Sequence, residues 1–179
     1  ALLAEVKARL GAGEGFALAT INLDHLVKLK TSAAFRKAYA AHVPVVGICF
    51  GHQIIAQAMG GKVEKYAGGW SVGPTDYDFG DQTYTLNAWH QDQVVKKPDM
   101  AKVLSSTAFC ENAALLYDDR MFTVQPHPEF QKDFMAGLIK HRGPGLVPDA
   151  LLADATSRLD KTTDSPSMAD RIAEFFLTH

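Results

Sequence analysis

Residues 45–53 read Val-Val-Gly-Ile-Cys-Phe-Gly-His-Gln. An apolar run stops at a Gly-x-Cys-x-Gly turn, and a helical pattern begins at once. Few folds pass a buried strand straight into a helix through so tight a bend. Those that do lift one side chain, here Cys49, clear of the sheet edge as a nucleophile elbow. Gly47 and Gly51 flank it, and the sequence predicts that a side chain at either would collide in the bend. The backbone at Cys49 is expected to be strained, a condition kept mainly at functional sites.

The surrounding pattern extends this reading. Val43 to Ile48 is a run of β-branched residues that suits a strand buried on both faces, as in a parallel sheet covered by helices. Ile54, Ile55, Ala58 and Met59 form a helical stripe that stops at Gly60-Gly61. Upstream, Leu2, Leu3, Val6 and Leu10 recur at helical spacing, Phe16 to Ile21 suits a buried strand, and Leu26 to His42 reads as a helix closed by Pro44. Short strand candidates follow at Lys62 to Tyr66, Tyr77 to Phe79, Thr83 to Ala88 and Val103 to Thr107. Leu115 to Tyr117 and Met121 to Gln125 flank the turn Asp118-Asp119-Arg120 and predict a hairpin. Phe134 to His141, Asp149 to Leu159 and Ser167 to Leu177 are helical. The order implies one α/β domain over residues 1–179, with a mixed sheet and an antiparallel insertion.

Composition narrows the functional classes. The 179 residues are 47% hydrophobic and 21% charged, enough for one domain with a sizeable core. A net charge of −2 gives no basis for phosphate-driven nucleic-acid binding. No apolar run reaches the roughly 18 residues of a membrane span. Two cysteines do not make a secreted disulfide framework, so a cytoplasmic location is expected.

A cysteine nucleophile needs a base, and the base needs an orienting group. Gln125-Pro126-His127-Pro128-Glu129 supplies both. The prolines forbid a helix and hold the segment extended, so His127 and Glu129, two apart, project to one side. The imidazole can then face the thiol while the carboxylate fixes its tautomer. Both this segment and Cys49 follow apolar strands, at the strand ends where open α/β sheets bind ligands. The helix after Cys49 directs its positive end at the sulfur. The Phe50 backbone N–H is the first oxyanion donor expected. His25 and His52 lack metal-ligand spacing with any cysteine or acid, and no metal or cofactor is expected.

These motifs resemble the class I, triad-type, glutamine amidotransferase family. The resemblance runs through Gly47 to Gln53, Gly60-Gly61, Trp89-His90-Gln91-Asp92-Gln93-Val94 and Gln125 to Phe130, and covers roughly residues 40 to 140. The wording is similar to stand-alone members near the GMP synthase glutaminase domain and to plant γ-glutamyl peptidases. It implies a three-layer flavodoxin-like fold with a mostly parallel mixed sheet and helices on both faces. It also implies cleavage of the γ-amide of glutamine through a γ-glutamyl thioester on Cys49. Gln53, His90, Gln91 and Asp92 would seat the glutamyl group. A γ-glutamyl peptide or conjugate is the alternative substrate. A non-catalytic module of a partner synthetase is the alternative role, and a synthetase or a second copy of the chain is the protein partner implied.

Two departures stand out. The family's first core strand and the Gly-rich loop that gives a second oxyanion donor have no match in residues 1–43, so segments are expected to be missing before Ala1 and around residues 20–32. Second, Tyr66 to Gly73 carries Trp70 and Ser71 where synthetase-linked relatives place an acidic residue.

Overall fold

The computed structural model describes residues 25–179. The helix expected at Leu2–Leu10, the strand at Phe16–Ile21 and the Gly-rich loop sought upstream of the elbow lie outside the described residues, as does the part of the 20–32 join before His25.

The described chain opens with helix α1 (His25–Ala40), strand β1 (Val45–Ile48) and helix α2 (Phe50–Ala58). Strands β2 (Lys62–Lys65), β3 (Ser71–Asp78), β4 (Thr83–His90), β5 (Asp92–Lys96), β6 (Ala101–Ser105), β7 (Ala114–Tyr117) and β8 (Met121–Val124) come next. Helices α3 (Lys132–His141), α4 (Asp149–Ser157) and α5 (Ser165–Thr178) close it. The central sheet has the order β1-β8-β7-β6. β1 and β8 run parallel, with Ile48 opposite Val124, and β8-β7-β6 is antiparallel. Two further antiparallel pairs, β2 with β5 and β3 with β4, complete the insertion. The molecule is therefore an α/β fold with a mixed sheet.

Alternation along β8 explains the layering. Met121 joins the core under α2, with Ile55, Ala56, Leu115 and Tyr117. Phe122 and Val124 point the other way, into the core under α5 with Met168, Ile172 and Phe175. Every residue of β8 is buried, as a strand covered on both faces requires. A third cluster packs α3 and α4 against β3 through Val72, Met135, Ile139, Leu152 and Ala155. It braces the outer wall of the cleft over Cys49.

Two details differ from the sequence expectation. Strand β5 occupies Asp92–Lys96, which the motif pattern treats as loop; its Gln93 and Val94 are buried, but the exposed Val95 and Lys96 break the alternation that would have shown it. And β3 begins at Ser71, well before Tyr77, because Gly73 and Pro74 mask a strand that pairs continuously with β4.

Candidate active site

Cys49 sits between β1 and α2 at φ 48°, ψ −100°, a left-handed backbone that a non-glycine residue rarely adopts. Such a residue costs about 1–3 kcal/mol and persists only where its surroundings over-determine it. Here the Cys49 N–H donates to the Val124 carbonyl at 2.8 Å, and the Cys49 carbonyl accepts from Gln53 N–H at 3.0 Å. The expected strain is present, held by β8 on one side and the first turn of α2 on the other.

The flanking glycines are not equivalent. A Cβ on Gly47 would lie 2.7 Å from Ile55 Cδ1 and 2.8 Å from the Gly51 carbonyl carbon. On Gly51 it would meet nothing within 4 Å among the described residues. The expected collision holds at Gly47, which packs under the elbow. It does not hold at Gly51, which faces open space on the outer side of the bend.

The Pro-His-Pro-Glu segment leaves β8 and is tied at once to β4: His127 N–H donates to the Asn87 carbonyl at 2.7 Å. His127 Nδ1 lies 2.7 Å from Glu129 Oε1, and Phe130 stacks on the imidazole with centroids 3.9 Å apart and planes 6° from parallel. Asn87 Nδ2 donates to the Phe130 carbonyl and fixes that ring in turn. The Cys49 side chain lies close enough to the imidazole to act on its charge. Burial alone would lower its pKa, but the Cys49 side chain and the bonded Glu129 carboxylate outweigh burial and raise it to about 9. At neutral pH His127 is an imidazolium between a sulfur and a carboxylate.

A cleft of about 370 Å³ opens over the sulfur, lined by Cys49, Gln53, Lys65, Trp70, Trp89, His90, Gln91 and Asp92. All four residues expected to seat a glutamyl group line it, though in different ways. Gln53 turns its amide inward, donating to the Asp92 carbonyl at 2.8 Å. His90 is buried, and that burial depresses its pKa to about 4, with the Asp92 backbone offsetting only part, so it stays neutral. Gln91 and Asp92 are open to the cleft. Phe50, the expected oxyanion donor, opens α2 directly after the sulfur.

The sequence pattern gave Lys65 no role and placed neither Trp70 nor Trp89 among the residues expected to seat a ligand. The two indoles lie 5.9 Å apart and form one wall of the cleft. The Trp wall could have been suspected from aromatic spacing across a hairpin; Lys65 had no local signal. A larger cavity, about 650 Å³, lies between α5 and the sheet near Tyr84, Phe122 and Arg171. It contains none of the expected site residues, whereas Cys49 and the four residues expected to seat a glutamyl group line the smaller cleft. Cys110 is buried at the base of the α5 core, and burial pushes its thiol up to about 12.

The family model described as "Glutamine amidotransferase class-I" matches residues 26–136, more than half of the chain. The chain belongs to the class-I glutamine amidotransferase family. A glutamine amidotransferase-like protein of Schizosaccharomyces pombe is 31% identical over 145 residues, covering 76% of this chain and 58% of that one. Gamma-glutamyl peptidase 4 of Arabidopsis thaliana is 32% identical over 126 residues, 62% of this chain and 50% of that one. A glutamine-hydrolyzing GMP synthase subunit of Methanothermobacter thermautotrophicus is 36% identical over 96 residues, 49% of this chain and 52% of that one. The chain thus spans about half the length of these curated relatives. Among solved structures, a glutamine amidotransferase from Methylobacillus flagellatus superposes with a TM-score of 0.65 at 22% identity, covering 88% of this chain and 70% of that one, a likeness of fold.

Proposed function

We propose that this chain is a cysteine hydrolase of γ-glutamyl amides, with Cys49 as nucleophile, His127 as acid and base, and Glu129 as the group that orients His127. The observation that carries this is one imidazole, bonded to Glu129 on one side and close enough to Cys49, on its strained elbow, for each to act on the other's charge. Nothing in packing calls for such an arrangement, and each part has a step to perform. The Cys49 thiolate attacks the γ-carbonyl, forming a C–S bond, while the oxyanion is held by the Phe50 N–H. The C–N bond then breaks, and the His127 imidazolium gives its proton to the leaving nitrogen. Water next attacks the thioester, His127 takes its proton, the C–S bond breaks, and the thiolate returns beside the recharged imidazolium. Gln53, His90, Gln91 and Asp92 shape the glutamyl side of the cleft.

A γ-glutamyl peptide or conjugate is the favoured substrate variant over free glutamine, because of the Trp70–Trp89 wall and the Lys65 ammonium. Ammonia leaving from glutamine has no use for an aromatic surface or a cation. An amino acid or peptide leaving from a γ-glutamyl bond presents an apolar body and a carboxylate that fit both. If free glutamine is instead the substrate, the ammonia would pass to another polypeptide, and a synthetase is then the partner, in keeping with the likeness to GMP synthase. The decisive experiment incubates the purified protein with glutamine and with γ-glutamyl dipeptides and follows both amine release and the mass of the intact protein. A γ-glutamyl adduct that is absent in Cys49→Ala supports the reading. Absence of adduct and product with every compound overturns it and leaves a non-catalytic module.

A further inference from the structure

Gln125 follows the last residue of β8 and precedes the Pro-His-Pro-Glu arm. Its side chain is completely buried, at 0% exposure. Its Nε2 donates to Cys49 Sγ at 3.5 Å. Its Oε1 accepts from Gln53 Nε2 at 3.2 Å, and that same nitrogen donates to the Asp92 carbonyl at 2.8 Å. The Gln125 backbone is pinned as well, its N–H donating to the Ala113 carbonyl at 2.7 Å. A buried glutamine normally finds partners wherever they are available. Here the carbonyl end is fixed by α2, which leaves the amino end aimed at the nucleophile.

We propose that Gln125 is a positioning residue for the nucleophile: a buried neutral amide that holds the Cys49 sulfur at the elbow and donates to it whenever it is anionic. The arrangement gives the sulfur two donors of different kind. His127 is mobile in charge, since it must surrender its proton to the leaving group. Gln125 has no proton to surrender. During acyl transfer the imidazolium becomes neutral, and the amide is the donor that persists. It serves again when water cleaves the thioester and the sulfur departs as thiolate, the moment at which a fixed donor lowers the barrier. The strut Asp92–Gln53–Gln125–Cys49 also joins the cleft wall to the nucleophile. A ligand that shifts Asp92 at the start of β5 would thereby act on the sulfur.

Among the described residues, Lys65 from β2, His90 from the end of β4 and Asp92 from β5 face Cys49 across the cleft, and burial keeps His90 neutral near pH 7. His127, with Glu129 behind it, comes from the end of β8; Tyr77 from β3 and Cys110 from the loop before β7 lie within electrostatic reach. Burial holds Tyr77 well above the usual phenol range and Cys110 at about 12, so both stay neutral near pH 7. Gln125 is the side chain that donates a hydrogen bond to the sulfur among the described residues, and His127 is the titrating group set beside it.

This inference deepens the proposed hydrolase reading, but its test needs no turnover. The rate of Cys49 alkylation by iodoacetamide is measured from pH 5 to 10 in wild type and in Gln125→Met, a similar shape without a donor. A hydrogen bond to a charged group of ordinary strength corresponds to a rise in the alkylation midpoint of about one to two pH units. Gln53→Met, which frees the amide without touching the sulfur, is expected to give a smaller rise in the same direction. A folded Gln125→Met protein, judged by circular dichroism and melting, with an unchanged midpoint overturns the proposal. If Gln125→Met does not fold, the side-chain amide protons of Gln125 are followed by nitrogen-15 NMR in wild type. They must shift together with ionisation of Cys49, and fixed resonances across that titration overturn the proposal equally. A changed midpoint in a protein that hydrolyses no γ-glutamyl compound leaves this inference standing and removes the hydrolase reading alone.

Discussion

Two histidines flank strand β8 and end in opposite states. His52, on α2, is fully buried and reaches Thr123 Oγ1 at 2.8 Å through Nδ1. Burial, aided by the nearby His90, lowers its pKa to about 3, and the Asn112 backbone offsets only part of this. His127, just beyond the end of β8, is also largely buried, with 13% of its side chain exposed, yet its pKa rises to about 9. Burial pushes both imidazoles towards neutrality. The difference lies in the partners: a hydroxyl leaves His52 neutral, whereas Cys49 and Glu129 make the charged form of His127 the stable one. The neutral histidine serves packing, and the charged one sits where the proposed chemistry needs a proton.

The comparison is broken most severely at the charged histidine. Glu129→Gln keeps the shape but removes the carboxylate, and γ-glutamyl hydrolysis is expected to fall by about 10²–10⁴-fold. Steady-state kinetics on a γ-glutamyl dipeptide measure this, and a variant within about threefold of wild type would contradict the role given to Glu129.

The next effect is on stability against pH. His52 has a folded pKa below its ordinary value of 6.5, so its neutral form is favoured in the fold. That contribution is complete above pH 6.5 and is lost as pH falls towards 3, amounting to about 5 kcal/mol at the acid limit. His127 has a raised folded pKa, so its contribution of about 3 kcal/mol is complete below pH 6.5 and is lost as pH rises through 9. Urea unfolding from pH 4 to 10 should therefore show a decline on both limbs. His52→Gln is expected to flatten the acid limb and His127→Gln the alkaline one. If each variant flattened the opposite limb, the assignment of charge would be wrong.

Smaller effects sharpen the contrast within the elbow. Gly47→Ala, with backbone atoms 2.8 Å from the new Cβ, is expected to destabilise by about 1–3 kcal/mol. Gly51→Ala meets open space and is expected to be neutral or to stabilise α2 by up to about 1 kcal/mol. Thermal melts of the two proteins side by side test this asymmetry. Cys49→Gly removes the cost of a left-handed backbone and should raise stability by about 1 kcal/mol while abolishing hydrolysis, the mark of strain kept for function.

Much of the candidate site was legible beforehand because its chemistry is local. The bend at Cys49 follows from a strand and a helix separated by too few residues, whereas the expected extension of the Pro-His-Pro-Glu segment does not hold: beyond His127 the chain turns, with Phe130 N–H donating to the His127 carbonyl at 3.3 Å, and this turn sets Glu129 beside the imidazole. The less legible parts depend on neighbours distant in sequence. β5 was hidden because three of its five residues are exposed and break the alternation. The Trp70–Trp89 wall required the β3–β4 register, which places Val72 opposite Trp89. The inward turn of Gln53 needed Asp92 and Gln125 as partners, and nothing in residues 50–56 specifies them.

By itself, then, the amino-acid order settled what sterics decides within a few residues: the strand-to-helix elbow at Cys49 and the hairpin that joins β7 to β8. The meeting of these parts was decided by tertiary structure. Parallel pairing of β1 with β8 sets Ile48 beside Val124, and only that register brings Cys49 to Gln125 and His127. Ionisation was decided there too, because the charge of a buried imidazole depends on which groups the fold places against it, and burial acts alike on both histidines.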